Sequence, residues 1–151
     1  TPTAGANERH FSMSRAAAIF IFLVGLNGFM AVVAGAWAAH GFGVPLIAGG
    51  DVLAESGSRF QMSHALALLG MAIAHEIAPS PYSFFSRILG TKALLRLAGI
   101  AFVVGIAGFS GGLYASAAGS AVSGLAPLGG TVLMVGWLLL SLAGLVSLFA
   151  R

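Results

Sequence analysis

Two histidines, His40 and His64, are the residues of this chain whose type and spacing best suit chemistry. His40 falls at the outer end of the first apolar run and His64 near the outer end of the second, so we expect the two imidazoles to lie at the same level of the membrane. We favour an interhelix clamp, in which they bond carbonyls or hydroxyls of neighbouring helices. A second hypothesis makes them axial ligands of a b-type haem, which requires histidines facing each other across a slot. A third is a metal, quinone or lipid-headgroup site, where zinc would need another ligand such as Asp51 or Glu55.

The elements that position these histidines are apolar. No charged side chain occurs from Leu97 to Ala150, a stretch of 54 residues. A soluble domain needs charges on its surface, and one membrane span takes only about 20 residues. The stretch therefore predicts two spans joined by a turn that contains Gly119, Ser120, Ser123 and Gly124.

The composition is that of an integral membrane protein. Of 151 residues, 58% are hydrophobic and 7% charged, and the mean hydropathy is +0.99. The chain has no Cys, which excludes disulfides and thiolate metal sites. The excess of seven basic over four acidic residues indicates topology rather than nucleic-acid binding, because no basic face with interleaved aromatics exists.

Four apolar runs predict an all-α, four-span transmembrane bundle. We expect an N-terminal cytoplasmic segment at 1–15 and a transmembrane domain at 16–151, with spans near 16–39, 60–78, 97–118 and 127–150. Asp51 is expected to cap a short amphipathic segment at 52–59, Pro79 and Pro81 to end the second span, and Pro127 to lie in the first turn of the last. The first run is longer than the apolar region of a signal peptide, which favours a retained helix.

The basic residues predict the orientation. One side of the four-span arrangement holds six of them, namely Arg9, Arg15, Arg87, Lys92, Arg96 and Arg151, and the other side holds only Arg59. By the positive-inside rule both termini lie in the cytoplasm. We expect a bacterial cytoplasmic (inner) membrane, with the mitochondrial inner membrane, both termini in the matrix, as the alternative.

Small residues at helical spacing predict the seams of the bundle, because helices in lipid associate through close packing. The positions concerned are Gly28, Gly35, Gly108, Gly112, Gly129 and Gly136. We favour seams within the chain over an interface with a partner.

Other chemistry is poorly supported by the polar residues expected within the membrane. These are Asn27, Gln61, Ser63, His75, Ser110, Tyr114 and Ser116, with Glu76 at the cytoplasmic end. No nucleophile triad, phosphate-binding loop or pair of intramembrane carboxylates occurs among them. Asn27, at mid-depth, does not titrate, which argues against proton-coupled drug efflux.

Four strings of the sequence carry a family resemblance. They are GAWAAHGF (35–42), RFQMSHALALLG (59–70), FSGGLY (109–114) and PLGGTVLMVGW (127–137). With them the chain resembles the small four-helix membrane proteins of uncharacterised function that include bacterial YgdD and eukaryotic transmembrane protein 256. It departs from them at Ser63, where relatives tend to carry an aromatic residue, and in its extension Thr1–Arg15.

The resemblance implies the four-helix fold and supplies no catalytic role. Its signature positions here are His40, His64, Ser110, Tyr114, Pro127 and Gly129. We therefore predict a non-catalytic membrane protein without a cofactor, an accessory or assembly subunit that packs against lipids and other membrane subunits. The alternatives are a redox or ligand-binding module, with His40 and His64 holding haem, metal or quinone, and a small transporter or channel.

Overall fold

A computed structural model describes residues 13–41, 43–79, 89–120 and 124–149. These ranges contain four helices and no strand: α1 (Arg15–His40), α2 (Gly50–Ile77), α3 (Thr91–Ala117) and α4 (Leu125–Phe149). The predicted all-α membrane bundle is confirmed. Several residues used in the predictions lie outside the described ranges: the segment 1–12 with Arg9, and Phe42, Pro81, Arg87, Ser123 and Arg151.

The ends of α1 follow from local chemistry. Ser14 precedes the helix in an extended conformation, and its Oγ accepts a hydrogen bond of 3.2 Å from the Ala17 amide. A serine at this position satisfies one of the amides that a helix start leaves unpaired. At the other end Gly41 is left-handed, with φ 65°, and its amide donates to the Trp37 carbonyl. Glycine takes that conformation without strain, so it stops the helix at His40.

Helix α2 is longer than predicted. The amphipathic segment at 52–59 and the span at 60–78 form one continuous helix, because one buried face runs through Gly50, Ala54, Gly57 and Gln61. Asp51 is not the N-cap. Gly49 holds that position with φ 75°, and Asp51 lies in the first turn, where a negative charge favours the helix dipole.

The predicted basic connection before α3 is partly helical. Lys92 and Arg96 belong to the first two turns of α3, which begins at Thr91 rather than near Leu97. The ring of Pro127 lies in the first turn of α4, as predicted, since α4 begins at Leu125.

Neighbouring helices are antiparallel and pack in chain order. Helix α1 packs on α2, α2 on α3, and α3 on α4, with a slight contact between α1 and α3. The starts of α1 and α3 therefore share one end with the ends of α2 and α4. We call it the basic end, since Arg15, Lys92 and Arg96 lie there.

The core runs along the central helices. Its largest fully buried apolar side chains are Leu68 and Met71 from α2 and Phe102 from α3. Within the described residues, α1, α3 and α4 are long and apolar enough to cross a membrane. Helix α2 has the length, about 42 Å for its 28 residues. It is less apolar because it carries Gln61, His64, His75 and Glu76.

Candidate functional site

Gln61 joins three helices through its side-chain amide. Its Nε2 donates to Oδ1 of Asn27 on α1 at 3.1 Å, and its Oε1 accepts from the Tyr114 hydroxyl on α3 at 2.7 Å. Asn27 is held in turn, because its Nδ2 donates to the Leu23 carbonyl at 2.9 Å. The sequence singled out all three polar residues but did not pair them.

Gly57 makes room for this arrangement. A Cβ at Gly57 would lie 2.5 Å from Cε1 of Tyr114, so the tyrosine ring occupies the space of the missing side chain. One residue further along α2, the Ser58 hydroxyl donates to the Ala31 carbonyl on α1 at 2.7 Å. The prediction missed Gly57 because residues 50–59 were assigned to a separate amphipathic segment, and the reason for a glycine there is an aromatic ring on another helix.

His64 is buried and uses both ring nitrogens. Its Nδ1 lies 2.7 Å from the Phe60 carbonyl, and its Nε2 lies 3.2 Å from the indole Nε1 of Trp137 on α4. The indole can only donate, so Nε2 accepts and Nδ1 carries the proton of a neutral imidazole. Phe60, Phe102 and Trp137 surround the ring. His64 thus joins α2 to α4 through the Trp137 indole, whereas the predicted clamp used both histidines and bonded carbonyls or hydroxyls of neighbouring helices.

The structure does not bring His40 and His64 together. His40 is the last residue of α1 and is exposed. The hydrogen bond between Gln61 and Asn27 puts these two residues at one level of the bundle. From that level α1 runs to His40 toward one end of the bundle, and α2 runs to His64 toward the other end. At the helical rise per residue, His40 and His64 are therefore about 24 Å apart along the bundle axis. The prediction of a common level is wrong, because α2 begins at Gly50 and not near Phe60.

This separation bears on the haem, metal and quinone hypotheses. A ligand held by both histidines would have to span that distance. A metal on His64 alone would require the imidazole to give up the Phe60 carbonyl or the Trp137 indole. Among the residues that the structure describes, no three His, Asp or Glu side chains are grouped as metal ligands. Asp51 and Glu55 are exposed, and Glu55 pairs with Arg59.

A second polar cluster lies at the basic end. The Glu76 carboxylate accepts from the Ser14 hydroxyl at 2.7 Å and from the Ser14 amide at 3.3 Å. The neighbouring residue His75 is 2% exposed, and its Nε2 accepts from Nε of Arg96 on α3 at 3.0 Å. Its Nδ1 has no partner among the described residues. Two consecutive residues of α2 thus bind α1 and α3.

Ser110, a signature position, is a buried hydroxyl on α3. It is 1% exposed, and its Oγ has no hydrogen-bond partner within the described part of the chain. Ser116 and Thr131 bond carbonyls one turn earlier in their own helices, at Gly112 and Pro127.

The predicted glycine seams lie mostly inside the bundle. A Cβ at Gly108 would meet the backbone of Gly129 at 3.0 Å, and one at Gly112 would meet the Ala126 amide at 2.8 Å. A Cβ at Gly129 would overlap the backbone of Phe109, and Gly136 adjoins the Phe102 ring. These contacts hold α4 on α3.

The two predicted glycines of α1 differ. Gly35 packs on α2, since a Cβ there would lie 3.0 Å from Oγ of Ser58. Gly28 was predicted to pack within the bundle, and this is wrong. A Cβ at Gly28 would have no neighbour within 4 Å, because Gly28 lies beside the face that α1 buries on α2.

The bundle and its internal polar contacts define a small all-α integral membrane protein. The chain belongs to the family described as Protein of unknown function (DUF423), whose model matches residues 34–130. That match confirms the resemblance drawn from the four strings.

The relatives are bacterial membrane proteins. The chain is 33% identical over 124 residues to a "UPF0382 membrane protein" of Haemophilus influenzae, covering 81% of this chain and 90% of the relative. It is 34% identical over 125 residues to "UPF0382 membrane protein SSP2132" of Staphylococcus saprophyticus, covering 81% and 92%. No solved structure matches the chain.

Proposed function

We propose that this chain is a non-catalytic accessory or assembly subunit of a larger membrane complex. It crosses the cytoplasmic membrane of a bacterium four times, with both termini in the cytoplasm. Its partners are other membrane subunits and lipids, and it binds no nucleic acid.

An unused packing face on α1 carries the proposal. Gly25 and Gly28 have no neighbour within 4 Å of a built Cβ, and Ile21 and Val32 flank them on the same face, 40% and 63% exposed. Small residues on a helix allow another helix to approach closely. The glycines of α3 and α4 discussed above pack against this chain's own residues, whereas Gly25 and Gly28 of α1 are open to a helix from a partner.

The state of the polar residues supports a role in packing rather than catalysis. A catalytic base or nucleophile needs a group that can reach a substrate. Gln61, His64 and Glu76 are instead engaged with other helices. Interhelical hydrogen bonds of this kind fix the relative positions of the packed helices.

The localisation and orientation rest on three observations. The relatives in Haemophilus influenzae and Staphylococcus saprophyticus are bacterial membrane proteins by name. In the described part of the chain, three helices have the length and hydropathy of membrane spans. Arg15, Lys92 and Arg96 share one end of the bundle, which the positive-inside rule puts on the cytoplasmic side.

Co-purification from native membranes tests the proposal. A tagged chain is extracted in mild detergent beside the double variant Gly25→Leu, Gly28→Leu, and bound membrane proteins are identified. Leucines on the open face should block a partner helix, so the partner should be lost from the variant. Gly70→Leu is the matched control, because Gly70 is also open but lies on α2.

Two results would contradict the proposal. Migration of the wild-type chain on native gels only as a free small protein would contradict the accessory role. If the double variant retained the same partners as the wild type and the Gly70→Leu control, the packing face on α1 would not be the interface. The melting temperature of both variants should equal that of the wild type, which separates a lost interface from a lost fold.

A further inference from the structure

A cleft opens at the basic end between three helices. The last turn of α2, the first turns of α3 and the last turns of α4 enclose about 440 Å³. That size lies within the range of small-molecule sites. We call it the basic-end cleft, and its walls include Ile77, Thr91, Leu95, Leu140, Gly144 and Ser147.

The walls of the basic-end cleft are apolar with a polar edge. Alanine, leucine and isoleucine side chains form most of the lining, and the hydroxyls of Thr91 and Ser147 also border it. Gly144 leaves part of the cleft open, because a Cβ there would have no neighbour within 4 Å. A cleft of this composition in a membrane protein suits a hydrocarbon chain.

Basic residues adjoin the polar edge on one side without lining the cleft. Thr91 lines the cleft and begins α3, Lys92 follows it, and Arg96 lies one turn further on. Helix α3 starts without a side-chain cap, so the positive end of its dipole faces the same region. Arg96 is held by His75, and the Glu76 carboxylate, which accepts from Ser14, offsets one of the positive charges at this end. Arg15, Lys92 and Arg96 outnumber it among the described residues there.

We propose that the basic-end cleft binds an anionic phospholipid. An acyl chain lies against Leu95, Leu140 and Gly144, and the phosphate lies at the first turn of α3 beside Lys92. Basic pockets between helices on the cytoplasmic side of a membrane bind anionic headgroups. A zwitterionic lipid would fill the same apolar walls but would gain less from the basic residues, so the charge selects the anionic class.

Native mass spectrometry of the purified, delipidated protein tests this site without any partner protein. Phosphatidylglycerol and phosphatidylethanolamine with identical acyl chains are added at equal concentration, and bound lipids are counted. We expect about fivefold tighter retention of phosphatidylglycerol, the gain typical of one basic residue near the headgroup.

Two variants locate the binding. Gly144→Leu should fill the cleft and reduce retention of both lipids, while Gly70→Leu, on an open face elsewhere, should leave it unchanged. Lys92→Gln should remove most of the preference for phosphatidylglycerol and keep the chain folded, because Lys92 is partly exposed.

Two outcomes would overturn the proposal. Equal retention of the two lipids by the wild type would show that charge does not select the ligand. A preference for phosphatidylglycerol that survives in Gly144→Leu would show headgroup attraction to the surface without use of the cleft. Should Gly144→Leu fail to fold, Lys92→Gln alone decides, and an unchanged lipid preference there would refute the site.

Discussion

The two helix hairpins of this bundle are held together by different means. Between α1 and α2 the contacts are side-chain hydrogen bonds, from Gln61 to Asn27, from Ser58 to the Ala31 carbonyl and from Ser14 to Glu76. Between α3 and α4 the contacts are backbone against backbone at Gly108, Gly112 and Gly129.

The difference follows from what lipid offers to each hairpin. Apolar helices gain nothing by hiding from lipid, so α3 and α4 associate through close van der Waals contact at glycines. Helix α2 carries polar side chains that lipid cannot satisfy, and five of them bond a residue outside α2, namely Ser58, Gln61, His64, His75 and Glu76. We call the α3–α4 contact at Gly108, Gly112 and Gly129 the glycine seam, and the hydrogen bonds between α1 and α2 the polar seam. The glycine seam should be destabilised most by added side-chain volume, and the polar seam most by the loss of a hydrogen-bond partner.

The largest effect should come from adding a side chain to the glycine seam. Gly129→Leu would push a side chain into the backbone of Phe109, which cannot rotate away. We expect a loss of at least about 3 kcal/mol in unfolding free energy, the upper end of the usual cost of overpacking. Thermal unfolding in detergent measures it. Gly70→Leu is the control, and equal melting temperatures for both variants would contradict a seam between α3 and α4.

A smaller effect should come from removing a partner in the polar seam. Gln61→Leu would leave Oδ1 of Asn27 and the Tyr114 hydroxyl without their partner. We expect a loss of about 1–2 kcal/mol, as for other interhelical hydrogen bonds in membranes. The double variant Asn27→Leu, Gln61→Leu should recover part of the loss, because it also removes the unpaired Oδ1 of Asn27. An additive cost in the double variant would show that the pair is not coupled.

The smallest effect should come from the exposed ion pair of α2. Nη2 of Arg59 lies 2.5 Å from Oε1 of Glu55, and the two side chains are 76% and 55% exposed. Replacing either residue by Ala should change the unfolding free energy by less than about 1 kcal/mol, because solvent screens such pairs. Denaturation at low and at high salt measures it. A clear loss of unfolding free energy would contradict this and show that the exposed pair stabilises the bundle as much as an interhelical hydrogen bond does.

Much of the architecture was predictable from the sequence, because apolar runs in a membrane can be little else than helices. The ends of α1 fell within one residue of the prediction, since Arg15 and His40 bound the run. The seam glycines Gly108, Gly112, Gly129 and Gly136 were predicted from spacing alone, because close helix contact requires small residues at helical intervals.

The relative positions of the polar residues were not predictable. Placing His40 and His64 at one level depended on where α2 begins, and residues 50–59 contain enough polar side chains to read as a separate segment. That Gln61 meets Asn27 on one side and Tyr114 on the other depends on the rotation of three helices. The spacing of residues along one helix does not determine how its neighbours are rotated.

The Gln61 junction also has a consequence for biosynthesis. The ribosome makes α1 first, so Asn27 is already present when α2, the least apolar of the four helices, emerges. Tyr114 comes 53 residues after Gln61 along the chain. Until α3 is made, Oε1 of Gln61 lacks its partner, the Tyr114 hydroxyl. A helix with an unsatisfied amide oxygen enters lipid at a cost in free energy. The order of synthesis thus supplies the first partner before it is needed and the second only after a delay.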